Sequence, residues 1–163
     1  MLIMGIDPGI AISGYGLISG ECNDCSIIEY GVIKTPAMLE MPQRLKQIHE
    51  GYIELIKRYK PDAVAVEELF FNKNAKTIIS VGQARGAALL AAALSNIEVF
   101  EYTPLQVKQA VVGYGRADKH QVQQMIKIYF HLDKLPKPDD AADALAVAVC
   151  HMNSYKLRKI LDS

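Results

Sequence analysis

Two short apolar runs that each end in a carboxylate constrain this chain more than any other feature. LIMGID closes on Asp7 and is followed at once by Pro8-Gly9, and AVAVE closes on Glu67. Runs of this length read as buried strands rather than helices. Period-two geometry puts Ile3, Gly5 and Asp7 on one face of the first strand, and Ala65 and Glu67 on one face of the second. An ionised group at the tip of a buried strand is costly unless an opposite charge meets it. If the two strands are neighbours and end level, both carboxylates reach the sheet edge at which open α/β sheets bind ligands.

A third apolar run, DAADALAVAVC, opens with Asp140 and Asp143. Three residues apart on a helix, they share a face. Asp140 follows Pro138 closely, so it also reads as a helix cap with Asp143 as a capping-box-like partner, and cap, ligand or both stay open. Asp7 before Pro-Gly has a turn role as its alternative. Glu67 meets no turn or cap requirement, whereas its neighbour Glu68 points the other way and reads as a solvated charge. Four carboxylates brought together need a counter-charge, and a pair of Mg²⁺ ions is the natural one. The chemistry this implies is two-metal phosphodiester hydrolysis: one ion activates water, the other stabilises charge on the leaving 3′ oxygen, and Asp7 contributes to both.

The remaining patterning supplies the frame. Strands are expected at 2–7, 13–20, 26–32, 63–67 and 97–102, with helices at 42–59, 75–94, 104–112, 118–130 and 141–155. Pro42 and Pro104 suit first helical turns, and Thr103 is the cap expected before the latter. This order predicts an α/β fold: a mixed sheet with three antiparallel N-terminal strands and helices on both faces. Gly82, Ala84, Gly86, Ala87, Ala88 and the three alanines at 91–93 make the helix at 75–94 slim. Its apolar second half predicts burial on most sides, and it is the candidate dimer contact. No repeat or linker divides residues 1–155, and 156–163 read as a short, basic, frayed tail.

Composition narrows the class without deciding it. A chain of 163 residues that is half apolar holds a core of its own and is not disordered. Cys22 and Cys25 have CxxC spacing but no second ligand pair, so they read as free thiols at a hairpin tip in a reducing cytoplasm. The run AALLAAALSNIEVF is too short and too soon interrupted to span a bilayer, so no membrane association is expected. Eighteen basic residues balance eighteen acidic ones, but with the four candidate ligands set aside the remainder is basic by four. Net charge therefore argues neither for nor against a nucleic-acid partner.

Two loops carry the residues suited to nucleic acid. Lys73 and Lys76 surround the FFNKN loop, and Lys108, Arg116 and Lys119 flank the loop Gly113-Tyr114-Gly115-Arg116. Lone lysines usually serve solubility; it is their clustering in loops able to face the acidic edge that points to phosphate contacts. Phe70 and Phe71 are adjacent and point in different directions, so one of them is available to stack on an unpaired base.

Taken in order, GIDPG at 5–9, GYG at 14–16, VEELFFNKNAKT at 66–77, GQARG at 82–86, VKQAVVGYGRADKHQV at 107–122 and DDAADALAVAVCH at 139–151 closely resemble the bacterial Holliday junction resolvase family RuvC. The resemblance implies an RNase H-like fold and a homodimeric, Mg²⁺-dependent endonuclease that nicks four-way DNA junctions symmetrically in recombination and DNA repair. Mn²⁺ is the expected substitute metal, and the RuvAB branch-migration complex the expected associate. Matched by motif, the family's catalytic carboxylates fall on Asp7, Glu67, Asp140 and Asp143, its junction-opening aromatic on Phe70, and its DNA-contacting basic residues on Lys108 and Lys119. The family's long basic tail is short here. The RNase H-like family of ribosomal RNA maturation lacks the Phe70 loop and the GQARG helix, and actin-like ATP-binding proteins need a second glycine-rich phosphate motif that this chain does not show.

Overall fold

Strand β1 (Leu2–Asp7) lies at the centre of a five-stranded sheet of order β3-β2-β1-β4-β5. It runs antiparallel to β2 (Ile12–Glu21), which pairs antiparallel with β3 (Asp24–Lys34). On its other side it runs parallel to β4 (Ala63–Glu67), which pairs in parallel with β5 (Glu98–Tyr102). The computed structural model describes residues 1–69 and 74–161, with the backbone alone at 158 and 159. The mixed sheet and its three antiparallel N-terminal strands are as the patterning predicts. The β2–β3 turn needs only Cys22 and Asn23, because Asn23 takes the left-handed conformation (φ 68°) that asparagine tolerates. Both strands therefore run longer than expected.

Helices cover both faces, which the alternation of side chains along β1 and β4 dictates. Met4, Ile6, Val64 and Val66 face α1 (Met41–Tyr59) and α2 (Ala75–Leu94) in one core. Ile3 and Ala65 face the other way, onto α5 (Asp139–Leu161), with Leu145 and Ala148 in the second core. Two short helices, α3 (Pro104–Val112) and α4 (Lys119–Tyr129), flank α5 on that side. Each starts from a full capping box, Thr103 with Gln106 and Asp118 with Gln121, which satisfies backbone donors at both ends of the pair.

Two expectations fail here. The tail does not fray at 156, since α5 stays helical to Leu161. Nor is α2 buried on most sides. Its buried residues, Ala84, Ala88, Ala91 and Ala92, form one stripe at helical spacing, while Ile79, Leu90 and Leu94 are 64%, 53% and 63% exposed. Small residues let α2 seat closely with a narrow stripe, so a single face is covered and the apolar opposite face stays open. By length and composition the whole of α2 is also apolar enough to cross a bilayer, yet it packs on α1 and ends at Leu94, within the run read above as too short to span one.

Candidate active site

The pairing of β1 with β4 determines where the first two carboxylates go. Ile3 pairs with Ala63, Gly5 with Ala65 and Ile6 with Val66, so the strands end level and Asp7 and Glu67 emerge side by side on the α5 face. Asp7 is partly enclosed. Burial raises its carboxyl well above the ordinary aspartate range, and repulsion from Asp143, Glu67 and Asp140, in that order, raises it further. Lys119 opposes the shift. Two secondary-structure elements, β4 and α5, thus direct negative charge at one group on β1.

Helix α5 comes this close because glycines clear its path. A Cβ on Gly5 would sit 2.0 Å from the Ala144 carbonyl oxygen, and one on Gly14 would sit 2.1 Å from that of Asp140. At Gly16 the clash would be with the Leu145 side chain at 2.7 Å. Backbone meets backbone at the first two positions, so no rotamer change relieves either contact. Gly14 also pairs with Asp7 across β1 and β2. It therefore touches both the strand that carries Asp7 and the helix turn that carries Asp140. Sequence patterning gave these glycines no role in the site; their common face, which α5 covers, was the signal available.

Asp140 lies within the first turn of α5, since the helix begins at Asp139 and the Ala141 amide donates to the Pro138 carbonyl at 3.0 Å. That puts Asp140 past the cap position, and a cap-only role does not fit. Asp143 is held by Lys119, with Nζ 3.0 Å from Oδ2 and side chains 22% and 57% exposed respectively. Burial raises the Asp143 carboxyl; Lys119 lowers it but does not outweigh burial and the neighbouring Asp140. Burial disfavours the Lys119 ammonium, yet its hydrogen bond to Asp143 and attraction to Asp143, Asp139 and Asp140 prevail and raise it. Asp139 is drawn downward chiefly by Lys137, 2.8 Å away.

Among the described residues, Lys119 alone of the candidate basic residues forms an ion pair with the four carboxylates. Lys76 and Arg116 are exposed and Lys108 is half-buried, none of them salt-bridged to the acidic set. Phe70, Phe71 and Lys73 lie outside the described residues. Arg85 was not singled out from the sequence. From α2 it donates through Nε to the Glu67 carbonyl at 3.4 Å and through Nη2 to Glu101. This ties the end of β4 to its neighbours beside a cleft of about 180 Å³ bounded by Asp7, Glu67, Ile78 and Pro104.

Hard carboxylate oxygens gathered at one pole, with Asp7 and Asp143 raised first by burial and then by their acidic neighbours, are chemically suited to Mg²⁺. As the side chains stand, no three carboxylate, histidine or cysteine groups among the described residues converge tightly enough to ligate one ion. Lys119 supplies part of the missing positive charge in their place.

The family model described as "Crossover junction endodeoxyribonuclease RuvC" matches residues 3–151. The chain belongs to the RuvC family. A relative of the same description from Alkaliphilus metalliredigens is 63% identical over 154 residues, covering 94% of each chain. One from Syntrophomonas wolfei is 59% identical over 163 residues, covering all of this chain and 95% of the relative. Among solved structures, Thermus thermophilus RuvC in complex with a Holliday junction substrate superimposes with a TM-score of 0.92 at 36% identity, covering 97% of this chain and 96% of the other. The fold is accordingly the RNase H-like one of the RuvC family, and the chain is in class a crossover junction endodeoxyribonuclease.

Proposed function

We propose that this protein resolves four-way DNA junctions by paired symmetric nicks, using Mg²⁺ held by Asp7, Glu67, Asp140 and Asp143, in recombination and DNA repair. The observation that carries this reading is the meeting of Asp7 and Glu67 at level strand ends with the first turns of α5 that bear Asp140 and Asp143, where burial first and these neighbours next raise the Asp7 carboxyl. A family member from Thermus thermophilus is described in complex with a Holliday junction substrate, which supports the same substrate here. Bound Mg²⁺ supplies an activated water and a positive field for the leaving 3′ oxygen.

The chain's own residues do the rest. Asp7, on which the other three carboxylates press, would be the central ligand, and Arg85 holds the main chain that carries Glu67. With Asp143 among the residues that would hold the metal, Lys119, now paired with it, would be available to the scissile phosphate. Lys108, Arg116, Lys73 and Lys76 hold backbone phosphates, which fixes register without reading sequence. Phe70 stacks on a base at the opened junction centre, with Phe71 as a further DNA contact.

Two active sites are needed for symmetric nicks, and a homodimer provides them. The open face of α2, with Ile79, Leu90 and Leu94, is the apolar surface that such a dimer would cover. Residues 1–155 act as one nuclease unit with a short basic tail, in the cytoplasm and in association with a RuvAB branch-migration motor. Incubating the protein with a synthetic mobile four-way junction, a linear duplex and a structured RNA, each with and without Mg²⁺, tests the reading. Metal-dependent paired nicks in the junction alone are expected; equal cutting of the duplex or the RNA would overturn it.

A further inference from the structure

On the far side of the sheet from the carboxylates, a tyrosine and a serine form a sealed polar pair that the mechanism above does not use. Tyr52, on α1, and Ser13, on β2, are both fully buried. The Tyr52 hydroxyl lies 2.6 Å from Ser13 Oγ and 3.2 Å from the carbonyl oxygen of Gly14. One proton assignment satisfies both contacts: Tyr52 donates to the Gly14 carbonyl, and Ser13 donates to the Tyr52 oxygen. Tyr52 belongs to the core cluster of Ile48, Ile56, Leu17 and Ile6, whose side chains carry no polar atom. Two hydroxyls in such a core are expensive unless their geometry is kept, so each enforces the position of the other.

What they hold is the backbone of Gly14. That residue pairs with Asp7 in the strand ladder. Its α-carbon faces α5 so closely that a Cβ there would stand 2.1 Å from the Asp140 carbonyl oxygen. Gly14 is thus gripped from one face by Tyr52, while on the other it sets how near Asp140 comes to Asp7. Tyr52 is close enough to Asp7 that the carboxylate charge helps raise the phenol, after burial as the main cause.

We propose that Tyr52 and Ser13 are positioning residues for the acidic site: by fixing Gly14 through the sheet, they set the spacing between Asp7 and Asp140 and hence the affinity for divalent metal. The inference rests on the metal reading given above. Outer-shell hydrogen bonds that orient ligands commonly change metal affinity by about 10–100-fold when lost. A contact one residue removed from the ligand belongs at the lower end of that range.

The test measures Mn²⁺ binding directly, from the electron paramagnetic resonance signal of the free ion, on the whole protein without DNA. Tyr52→Phe keeps the ring and removes the hydroxyl; Ser13→Ala removes the other half of the pair, and Ser13→Thr restores a hydroxyl. Ile56→Val trims the same core on the same helix but touches no polar link. Tyr52→Phe and Ser13→Ala should each weaken Mn²⁺ binding about tenfold. Ser13→Thr should recover most of that loss. Ile56→Val should lower Tm while leaving Mn²⁺ affinity within about twofold of wild type. Metal-free junction binding should be unchanged throughout. Should Tyr52→Phe and Ser13→Ala merely lower Tm, like Ile56→Val, with unaltered Mn²⁺ affinity, the pair is core packing and the inference fails. If the wild type itself binds no Mn²⁺ saturably, the metal reading fails and takes this inference with it.

Discussion

Replacing Asp7 with asparagine should stabilise the metal-free protein while destroying its activity. The amide keeps the shape of the side chain and removes its charge. In the folded protein that charge faces Asp143, Glu67 and Asp140 with Lys119 in partial compensation, and burial opposes ionisation as well. Like charges within one site repel by up to about 4 kcal/mol per pair at an effective dielectric of about 20. Three such pairs, offset by Lys119, by partial protonation and by solvent reaching the site, leave a net cost of about 1–3 kcal/mol. At this chain length each kcal/mol moves Tm by about 2–4 °C, so Asp7→Asn should melt roughly 3–10 °C higher in EDTA near neutral pH.

The pH dependence follows from the direction of the shift. A carboxyl raised above its unfolded value binds its proton more tightly in the folded state. Its contribution to stability is complete below the unfolded value and disappears as pH rises through the folded one. Wild type and variant should therefore melt alike near pH 3.5–4, and the variant's advantage should widen toward pH 8. Saturating Mg²⁺ should raise the wild-type Tm and close the gap, since a ligand that binds only the folded state stabilises it. Calorimetric scans across this pH range, with and without Mg²⁺, measure all of it. A variant no more stable than wild type in EDTA at pH 8, or a gap that does not grow with pH, would show that the charge on Asp7 is not under the strain described.

Three further outcomes are expected. Gly14→Ala forces a Cβ against the Asp140 carbonyl, where the free space is 2.1 Å; overpacking of this kind costs about 1–3 kcal/mol or more, and cleavage should fall further than Tm alone explains. Lys119→Met removes the partner of Asp143 in a partly exposed pair, so metal-free stability should drop by no more than about 1 kcal/mol, with the loss shrinking at high salt, while single-turnover cleavage at saturating enzyme falls steeply. Phe70→Leu keeps apolar bulk but gives up most of a stacking contact worth about 1–3 kcal/mol per base; cleavage of a fully paired junction should fall and partly recover when central mismatches pre-open it, and equal loss on both substrates would make Phe70 a packing residue.

The parts of this molecule that follow from local patterning were legible before any coordinates. Alternation along LIMGID and AVAVE put Asp7 and Glu67 on one face, and the parallel register of β1 and β4 brings their ends level. The cap of α3 follows from Thr103 and Pro104 in the same way, whereas Asp118, expected as the first residue of its helix, caps it from outside. What was not legible depends on a partner distant in sequence. Gly5 and Gly14 have value only because α5 lies over them, more than a hundred residues later. The open side of α2 could not be told from a buried one, because alanine and leucine suit either and only the width of the packed stripe decides.

The lysines show the same boundary from the other direction. Lys108 and Lys119 flank one loop and looked equivalent, yet only Lys119 meets the acidic set, because it is the first residue of a helix whose start is fixed by the box between Asp118 and Gln121. The Asp-x-x-Gln spacing was present in the sequence and marks the start of a helix. It could not say that this start faces Asp143, since that depends on how α4 lies against α5. Residue type and spacing name the groups able to do the chemistry; the approach of α4 and α5 to the sheet selects which of them meet.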